Sequence, residues 1–232
     1  MPIRTLGIVG GIGPESTIDY YRSIIRMWRD ETTDGSAPSV IINSIDLKKM
    51  LDLLNAGSLS ELTVYLGSEL ERLARAGASI GLFAANSSHI VFDDVQRGSS
   101  IPLVSIVQAT RDAAKELSLH KVGLFGTIFT MQGRFFSDAF SPAGIAIVAP
   151  EESEQAYIHN IYMNELVKGV FLPETRARLL AIADRMIKDE HIEGLILAGT
   201  ELPLILRDAP LPVPFLDTTQ IHVKAALKHL LS

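Results

Sequence analysis

Short apolar runs alternate with longer segments whose apolar residues recur at helical spacing. The run TLGIVG at 5–10 predicts a buried strand, and Ile18, Tyr21 and Ile24 in the following segment predict a helix over 15–31. The same patterns predict further strands at 39–44, 79–85, 102–105, 121–127, 144–150, 193–199 and 211–217. Further helices are predicted at 46–54, 58–77, 88–97, 106–119, 151–168, 173–190 and 218–231. This alternation predicts an α/β fold in which mostly parallel sheets are flanked by helices.

The series of elements begins a second time near the middle of the chain. KVGLFGT at 121–127 resembles TLGIVGG at 5–11, because both are apolar runs stopped by glycine. The repeat predicts two related α/β halves with a cleft between them. We expect residues 1–100 with 216–232 to form one half, and 101–215 to form the other. In such folds ligands bind outside the carboxyl ends of the strands, so those ends are the places to search for chemistry.

Composition excludes several classes of function. The hydrophobic fraction of 47% is ample for a core, and a net charge of −6 without a basic stripe predicts no nucleic-acid partner. Uncharged stretches such as 79–92 are too short or too polar to span a bilayer. The N-terminal segment lacks a secretory pattern, so a cytoplasmic location is expected. Since the chain has no cysteine, disulfides, zinc thiolate sites and thiol nucleophiles are excluded.

Four consecutive polar residues follow the third predicted strand: Asn86, Ser87, Ser88 and His89. An asparagine and a serine here can cap the following helix. Four polar side chains exceed what a cap requires, and together with a helix N-terminus they suit an anion such as a carboxylate. A histidine at such a place is more often structural than catalytic.

Other strand ends carry hydroxyls and carboxylates. Thr127 and Thr130 follow the strand at 121–127, while Thr200 and Glu201 follow the strand at 193–199. Glu201 is a candidate base, or it orients a neighbouring group by a hydrogen bond. Asp217 precedes the last helix, where an N-cap is the favoured interpretation.

The first glycine-rich segment, GGIGPEST at 10–17, has two open interpretations. It is either a glycine turn with Pro14 at the first helical position, or a loop in which Gly11 and its neighbours direct backbone N–H groups at a small carboxylate. Pro14 and Glu15 argue against a nucleotide. The histidines show no paired ligand spacing, so no metal site is predicted.

With these motifs in order, the chain resembles the aspartate/glutamate racemase family, amino-acid racemases that work without pyridoxal phosphate. The resemblance is carried by LGIVGGIGPESTIDYYRSI, AANSSH, GTIFTM, AGTE and PFLDTTQIH. It implies two pseudo-symmetric α/β halves, an active site between them, no cofactor, and a homodimer. It also implies an isomerase whose ligand is a small amino acid or dicarboxylate.

The family inverts the substrate with two cysteines, one on each face of its α-carbon. In this chain Ala85 and Gly199 stand at those two positions, and neither has a functional group. His89 and Glu201 follow the two positions, and they are the bases that remain. The loss of two sulfur-bearing side chains also predicts a larger pocket.

The residues that match the family's carboxylate-holding positions are better preserved. The predicted substrate-binding residues are Gly11, Asn86, Ser87, Ser88, Thr127, Thr130, Lys168 and Thr200. Lys48 and Lys168 are candidate partners of a distal carboxylate, although a solvated lysine is the more common case.

Three functions stay open on the sequence alone. The chain is a racemase with a cysteine-free mechanism, a non-catalytic paralogue that binds the same ligands, or an enzyme that performs a different proton transfer with His89 and Glu201. Engineered removal of the cysteines is a further explanation for Ala85 and Gly199.

Overall fold

The structure is a computed structural model that describes residues 4–206 and 208–231. The strands are β1 Thr5–Gly10, β2 Ser39–Ser44, β3 Ile80–Phe83, β4 Lys121–Gly126, β5 Ala146–Val148, β6 Gly194–Ala198 and β7 Phe215–Asp217. The helices are α1 Pro14–Glu31, α2 Leu47–Asn55, α3 Leu59–Arg75, α4 Phe92–Gly98, α5 Ile106–Glu116, α6 Ile128–Met131, α7 Phe135–Phe140, α8 Glu152–Asn164, α9 Pro173–Asp189, α10 Leu202–Leu206 and α11 Thr218–Leu231. Three 3₁₀ turns cover Ser87–Val91, Ser141–Ala143 and Leu166–Lys168.

The chain divides into two compact units, and each contains one parallel sheet flanked by helices. The first unit contains the described residues up to Ile106 and those from His222 onward; the second is Val107–Ile221. The predicted fold class is therefore confirmed. Residues 1–3 of the N-terminal segment and residue 232 of the predicted first half lie outside the described residues.

The sheet of the first unit has the strand order β2-β1-β3. The register pairs Gly10 with Ser44 and Val9 with Phe83, so all three strands end at the same edge of the sheet. Strand β1 is the central strand, and its apolar residues are buried. Helices α1 and α11 share one core cluster with these strands, and Tyr20 lies within that cluster.

The sheet of the second unit has the order β5-β4-β6-β7. The register pairs Gly126 with Ala198 and Leu197 with Asp217, so the ends of β4, β6 and β7 adjoin one another. Every residue of β6 is buried, which explains why its sequence GLILA carries no polar side chain. Polar residues begin immediately after it, at Thr200.

One predicted strand is wrong. Residues 102–105 make a single bridge, between Gly81 and Leu103, and no strand. Pro102 has no N–H to donate to a ladder, and the N–H of Leu103 donates to the side chain of Gln96 at 2.7 Å. The segment therefore runs beside β3 without extending the sheet. The strand predicted at 211–217 likewise begins only at Phe215, after the two prolines that precede it.

Several short helices were not predicted, namely α6, α7 and α10. Helix α6 has four residues and α10 has five, which is too short to show a helical repeat of apolar residues. Two of them, α6 and α10, begin directly after strands β4 and β6. The polar residues of those strand ends, Thr127, Thr200 and Glu201, lie between each strand and its helix.

Candidate functional site

The polar loop of the first unit follows β3 and leads into the 3₁₀ turn Ser87–Val91. Burial alternates along it: Asn86, Ser88 and His89 are buried, whereas Ala85 and Ser87 remain partly exposed. The hydroxyl of Ser88 donates to the carbonyl of Ala85 at 2.8 Å, inside the loop itself. Asn86 occupies the N-cap position of the turn without a side-chain cap bond. The partly exposed side chains of the loop are therefore a methyl group and one hydroxyl.

Both ring nitrogens of His89 are used by the backbone. Nδ1–H donates to the carbonyl of Ala85 at 3.1 Å, and Nε2 accepts from the N–H of Ile106 at 3.1 Å. Burial and, to a smaller extent, the nearby His222 together lower the pKa of His89 to about 3. The ring is thus neutral, in the Nδ1–H tautomer, with no lone pair left for a substrate proton. This geometry favours a structural role for His89, in which it holds the loop in place.

A second buried histidine extends this network within the first unit. Nε2–H of His222 donates to the carbonyl of Val104 at 2.9 Å, and its Nδ1 accepts from the hydroxyl of Tyr20 at 2.8 Å. Burial lowers the pKa of His222 to about 4. The rings of His89 and His222 meet edge to face, with centroids 6.1 Å apart. Sequence reasoning missed this pair, although His222 closes one of the motifs that carried the family resemblance.

Gly11 has a structural reason to be glycine. Its φ is +78°, and a Cβ there would lie 2.5 to 2.6 Å from the backbone of Ile45. Its N–H donates to the hydroxyl of Thr17 at 2.8 Å, so that donor is already used. Helix α1 begins at Pro14, as the glycine-turn interpretation predicts. The geometry therefore favours the turn over a carboxylate-binding loop.

The second polar loop, 199–201, contains a buried carboxylate. Glu201 is 2% exposed, and its Oε2 accepts hydrogen bonds from the hydroxyls of Tyr162 and Thr200, the latter at 2.8 Å. Within residues 4–206 and 208–231 no lysine, arginine or histidine forms an ion pair with Glu201. Burial and the charge of Glu201 raise the pKa of Tyr162 well above its usual value. The phenol is therefore the donor and the carboxylate is the acceptor.

Tyr162 also occupies the space beside Gly199. A Cβ built on Gly199 would lie 2.8 Å from the Tyr162 hydroxyl oxygen and 2.9 Å from Cζ, with Cε2 closer still. No side chain fits there unless the ring moves. The expectation that the missing thiol leaves a larger pocket is therefore wrong at position 199, because a residue from helix α8 fills the vacated volume.

Helix α8 presents a second polar side chain toward the strand ends of the same unit. Nδ1 of His159 accepts from the N–H of Ile128 at 3.3 Å, and burial lowers the pKa of His159. The hydroxyls of Thr127 and Thr130 lie 3.3 Å apart at the start of α6. His159 and Tyr162 are three residues apart, so both lie on one face of α8. Sequence reasoning missed both; the available signal was a histidine and a tyrosine three residues apart in a predicted helix.

The remaining predicted residues lie on the surface or cap a helix. Lys168 is exposed, and Lys48 is exposed and paired with Asp52 at 2.6 Å, as expected of solvated lysines. Oδ1 of Asp217 accepts from the backbone N–H groups of Thr219 and Gln220, which confirms the predicted N-cap of α11. In the described part of the chain no helix is long and apolar enough to cross a membrane. The same residues contain no cluster of three metal-ligating side chains.

Comparison with known proteins decides the family. The sequence model described as Asp/Glu/Hydantoin racemase matches residues 9–226. The chain belongs to this family. It is 32% identical to an aspartate racemase homologue from Pyrococcus horikoshii of known crystal structure; the match covers 99% of this chain and 100% of that one, with a TM-score of 0.86. The resemblance drawn from the motifs is thus confirmed.

Two further relatives extend the comparison. The broad specificity amino-acid racemase RacX of Bacillus subtilis (strain 168) is 20% identical over an alignment of 234 positions that covers 98% of each chain. The aspartate racemase of Picrophilus torridus has the same fold, with a TM-score of 0.74 and 19% identity over 98% of this chain and 94% of that one. The family model thus covers most of the chain, residues 9–226.

Proposed function

We propose that this family member binds a small amino acid or dicarboxylate at its strand-end loops and does not invert it by the two-thiol route. The observation that carries the proposal is the contact between Tyr162 and Gly199. The volume beside Gly199 is filled by a ring from another element, so the chain is built around the absence of a side chain at this position.

Inversion needs a proton acceptor on one face of the α-carbon and a proton donor on the other. A single group returns the proton to the face from which it came. Loss of one positioned base costs about 10²–10⁴-fold in rate. With Ala85 and Gly199 at the two positions, and with both nitrogens of His89 bonded to the backbone, the two-base mechanism lacks both of its groups.

The hydroxyl groups at the strand ends support ligand binding. Thr127 and Thr130 form a hydroxyl pair after β4, Thr200 follows β6, and Ser87 is the partly exposed hydroxyl of the first loop. Hydroxyl groups hydrogen-bond carboxylates without adding charge. We therefore propose Ser87 in the first unit and, separately, Thr127 in the second as hydroxyl donors to a ligand carboxylate. Asn86 and Thr200 stay predictions from the sequence, because Asn86 is buried and the Thr200 hydroxyl already donates to Glu201. The names of the two relatives, an amino-acid racemase and an aspartate racemase, support an amino-acid ligand, dicarboxylic in the second case.

The loss of the cysteines belongs, on this proposal, to the natural chain. Replacing a cysteine by glycine in an otherwise unaltered protein would leave an empty volume. Here the volume is filled by Tyr162, which lies on a different helix and is tied to Glu201. We carry over the family's cofactor independence and homodimer as part of the proposal, the latter to be tested by analytical ultracentrifugation.

Titration calorimetry with both enantiomers of aspartate and glutamate tests the binding proposal, followed by a wider amino-acid panel. We expect saturable binding of at least one ligand, and no inversion by chiral chromatography. Thr127→Val should weaken binding, whereas Thr63→Val on helix α3 of the other unit is a matched control that should not. Absence of binding across the panel would refute the binding proposal. Inversion by the unaltered protein would refute the claim that the two-thiol function is lost.

A further inference from the structure

The Tyr162 hydroxyl lies where the side chain of residue 199 would begin. Its oxygen is 2.8 Å from the position of a Cβ on Gly199, which is the atom that carries the thiol in a family member with cysteine there. The hydroxyl reaches this place from helix α8, and the loop contributes only backbone at that point. The Tyr162 hydroxyl thus lies close to the place that the thiol-bearing side chain of a cysteine at 199 would occupy.

The hydroxyl is connected to a proton acceptor. It donates to Oε2 of Glu201, and the same oxygen accepts from the hydroxyl of Thr200 at 2.8 Å. Among the described residues, two hydroxyl groups donate to the Glu201 carboxylate, and no lysine, arginine or histidine forms an ion pair with it. Tyr162 and Glu201 therefore form a two-step proton relay that begins beside Gly199 and ends on a buried carboxylate.

We propose that Tyr162, with Glu201 behind it, replaces the second catalytic thiol and exchanges the α-hydrogen of the bound acid. The inference rests on the ligand binding proposed above. In the forward step the phenol oxygen takes the proton from Cα as its own proton passes to Oε2 of Glu201, and the C–H electron pair delocalises into the ligand's carboxylate. In the reverse step Glu201 returns its proton to the phenol as the phenol protonates Cα.

Exchange by this relay retains configuration. The high pKa of Tyr162 keeps the phenol protonated at rest, so the proton that moves to Glu201 is present when the reaction begins. The relay of Tyr162 and Glu201 is the one proton-carrying group that this proposal assigns to the reaction. A single relay delivers the new hydrogen to the face from which the old one left. The expected activity is therefore hydrogen exchange without racemisation.

The test follows α-hydrogen exchange and binding side by side. Each ligand that binds in calorimetry is incubated with the protein in heavy water, and loss of the α-proton is followed by NMR, with chiral analysis of the recovered ligand. We expect deuterium at Cα with the original configuration. Tyr162→Phe keeps the ring beside Gly199 and removes only the hydroxyl, so it should lower the exchange rate by at least about 10²-fold while ligand still binds. Glu201→Gln, which keeps the shape of the carboxyl group, should lower it comparably.

Tyr157→Phe is the matched control, because Tyr157 lies on the same helix with its ring under Arg178 at 4.7 Å. It should leave both exchange and binding unchanged. If ligand binds and the unaltered protein shows no exchange, or if Tyr162→Phe exchanges at the unaltered rate, the relay is refuted and the binding proposal stands. If no ligand of the panel binds, the binding proposal itself fails. Thermal melting of each variant establishes that it is folded. If Tyr162→Phe unfolds, the α-hydrogen exchange rate of Glu201→Gln tests the relay instead.

Discussion

The ring of Tyr162 fills the space that a side chain on Gly199 would need. The two residues lie 37 positions apart, on helix α8 and on the loop after β6, and Tyr162 belongs to the core cluster of the second unit. The contact links the two residues: a side chain at 199 would force the Tyr162 ring to shift. The chemistry available at this strand end is consequently set by the helix as well as by the loop.

Gly199→Ala should therefore destabilise the protein. The new Cβ overlaps the Tyr162 ring, and overpacking of this kind costs about 1–3 kcal/mol. Gly67→Ala on helix α3 is the matched control, because nothing lies within 4 Å of the added Cβ, and it should be neutral or stabilising by about 0.5–1 kcal/mol. Urea denaturation measures both free energies of unfolding. Equal values for the two variants would contradict the assigned contact.

Restoring the two cysteines should not restore racemisation unless Tyr162 is also changed. In Ala85→Cys/Gly199→Cys the new side chain at 199 meets the phenol ring. Adding Tyr162→Leu removes the ring atoms and keeps an apolar side chain in the core. We expect inversion of aspartate or glutamate by the triple variant and none by the double variant, measured by chiral chromatography. Inversion by the double variant would mean that the ring moves aside readily.

Stability should fall as the pH is lowered from about 7 toward 4. The folded-state pKa values of His89 and His222 are about 3 and about 4, against about 6.5 in the unfolded chain. Between those values the unfolded state binds more protons than the folded state, so each histidine lowers the free energy of unfolding by about 1.4 kcal/mol per pH unit. Their contribution is constant above about pH 7. Denaturant titrations at a series of pH values measure this slope.

A histidine variant distinguishes the contribution of the histidines to the pH dependence of stability from the contribution of the carboxylates, which also titrate. Between pH 6 and 4, His89→Gln should reduce the slope of the unfolding free energy against pH by the contribution of about one proton, which is about 1.4 kcal/mol per pH unit. It should also lower stability at neutral pH by about 1–3 kcal/mol if the amide fails to satisfy both backbone groups. The exposed His191 provides the control, as His191→Asn. An unchanged slope in His89→Gln would show that the ring is not held neutral in the folded protein.

Gly11→Ala should destabilise the protein more than Gly35→Ala does. Both glycines have positive φ, +78° and +74°, so both variants incur the backbone cost of about 1–2 kcal/mol. Only at Gly11 does the Cβ also meet the backbone of Ile45, whereas nothing lies near Gly35. The difference between the two unfolding free energies isolates that clash. If Gly11→Ala instead lost ligand affinity with stability equal to that of Gly35→Ala, the residue would contact the ligand.

Much of the fold could be predicted because it depends on local patterns. Each of these patterns acts within a few residues. They are the buried runs of β1 and β6, the helical spacing in α1, the proline that opens α1 and the aspartate that opens α11. The strand predicted at 102–105 was wrong because its apolar pattern is outweighed by Pro102 and by a side-chain bond from Gln96. The short helices after β4 and β6 could not be predicted, since their positions are set by packing.

The sequence alone determined the family, the two parallel α/β sheets and the absence of thiol at positions 85 and 199, because motifs and composition are properties of neighbouring residues. Only the tertiary structure decided that both nitrogens of His89 are bound, that the N–H of Gly11 is used, and that Tyr162 lies against Gly199 with its hydroxyl on Glu201. These relationships join residues from separate elements. They arise because packing an apolar core brings distant side chains into contact, and buried polar atoms must then find partners among whatever groups are brought near.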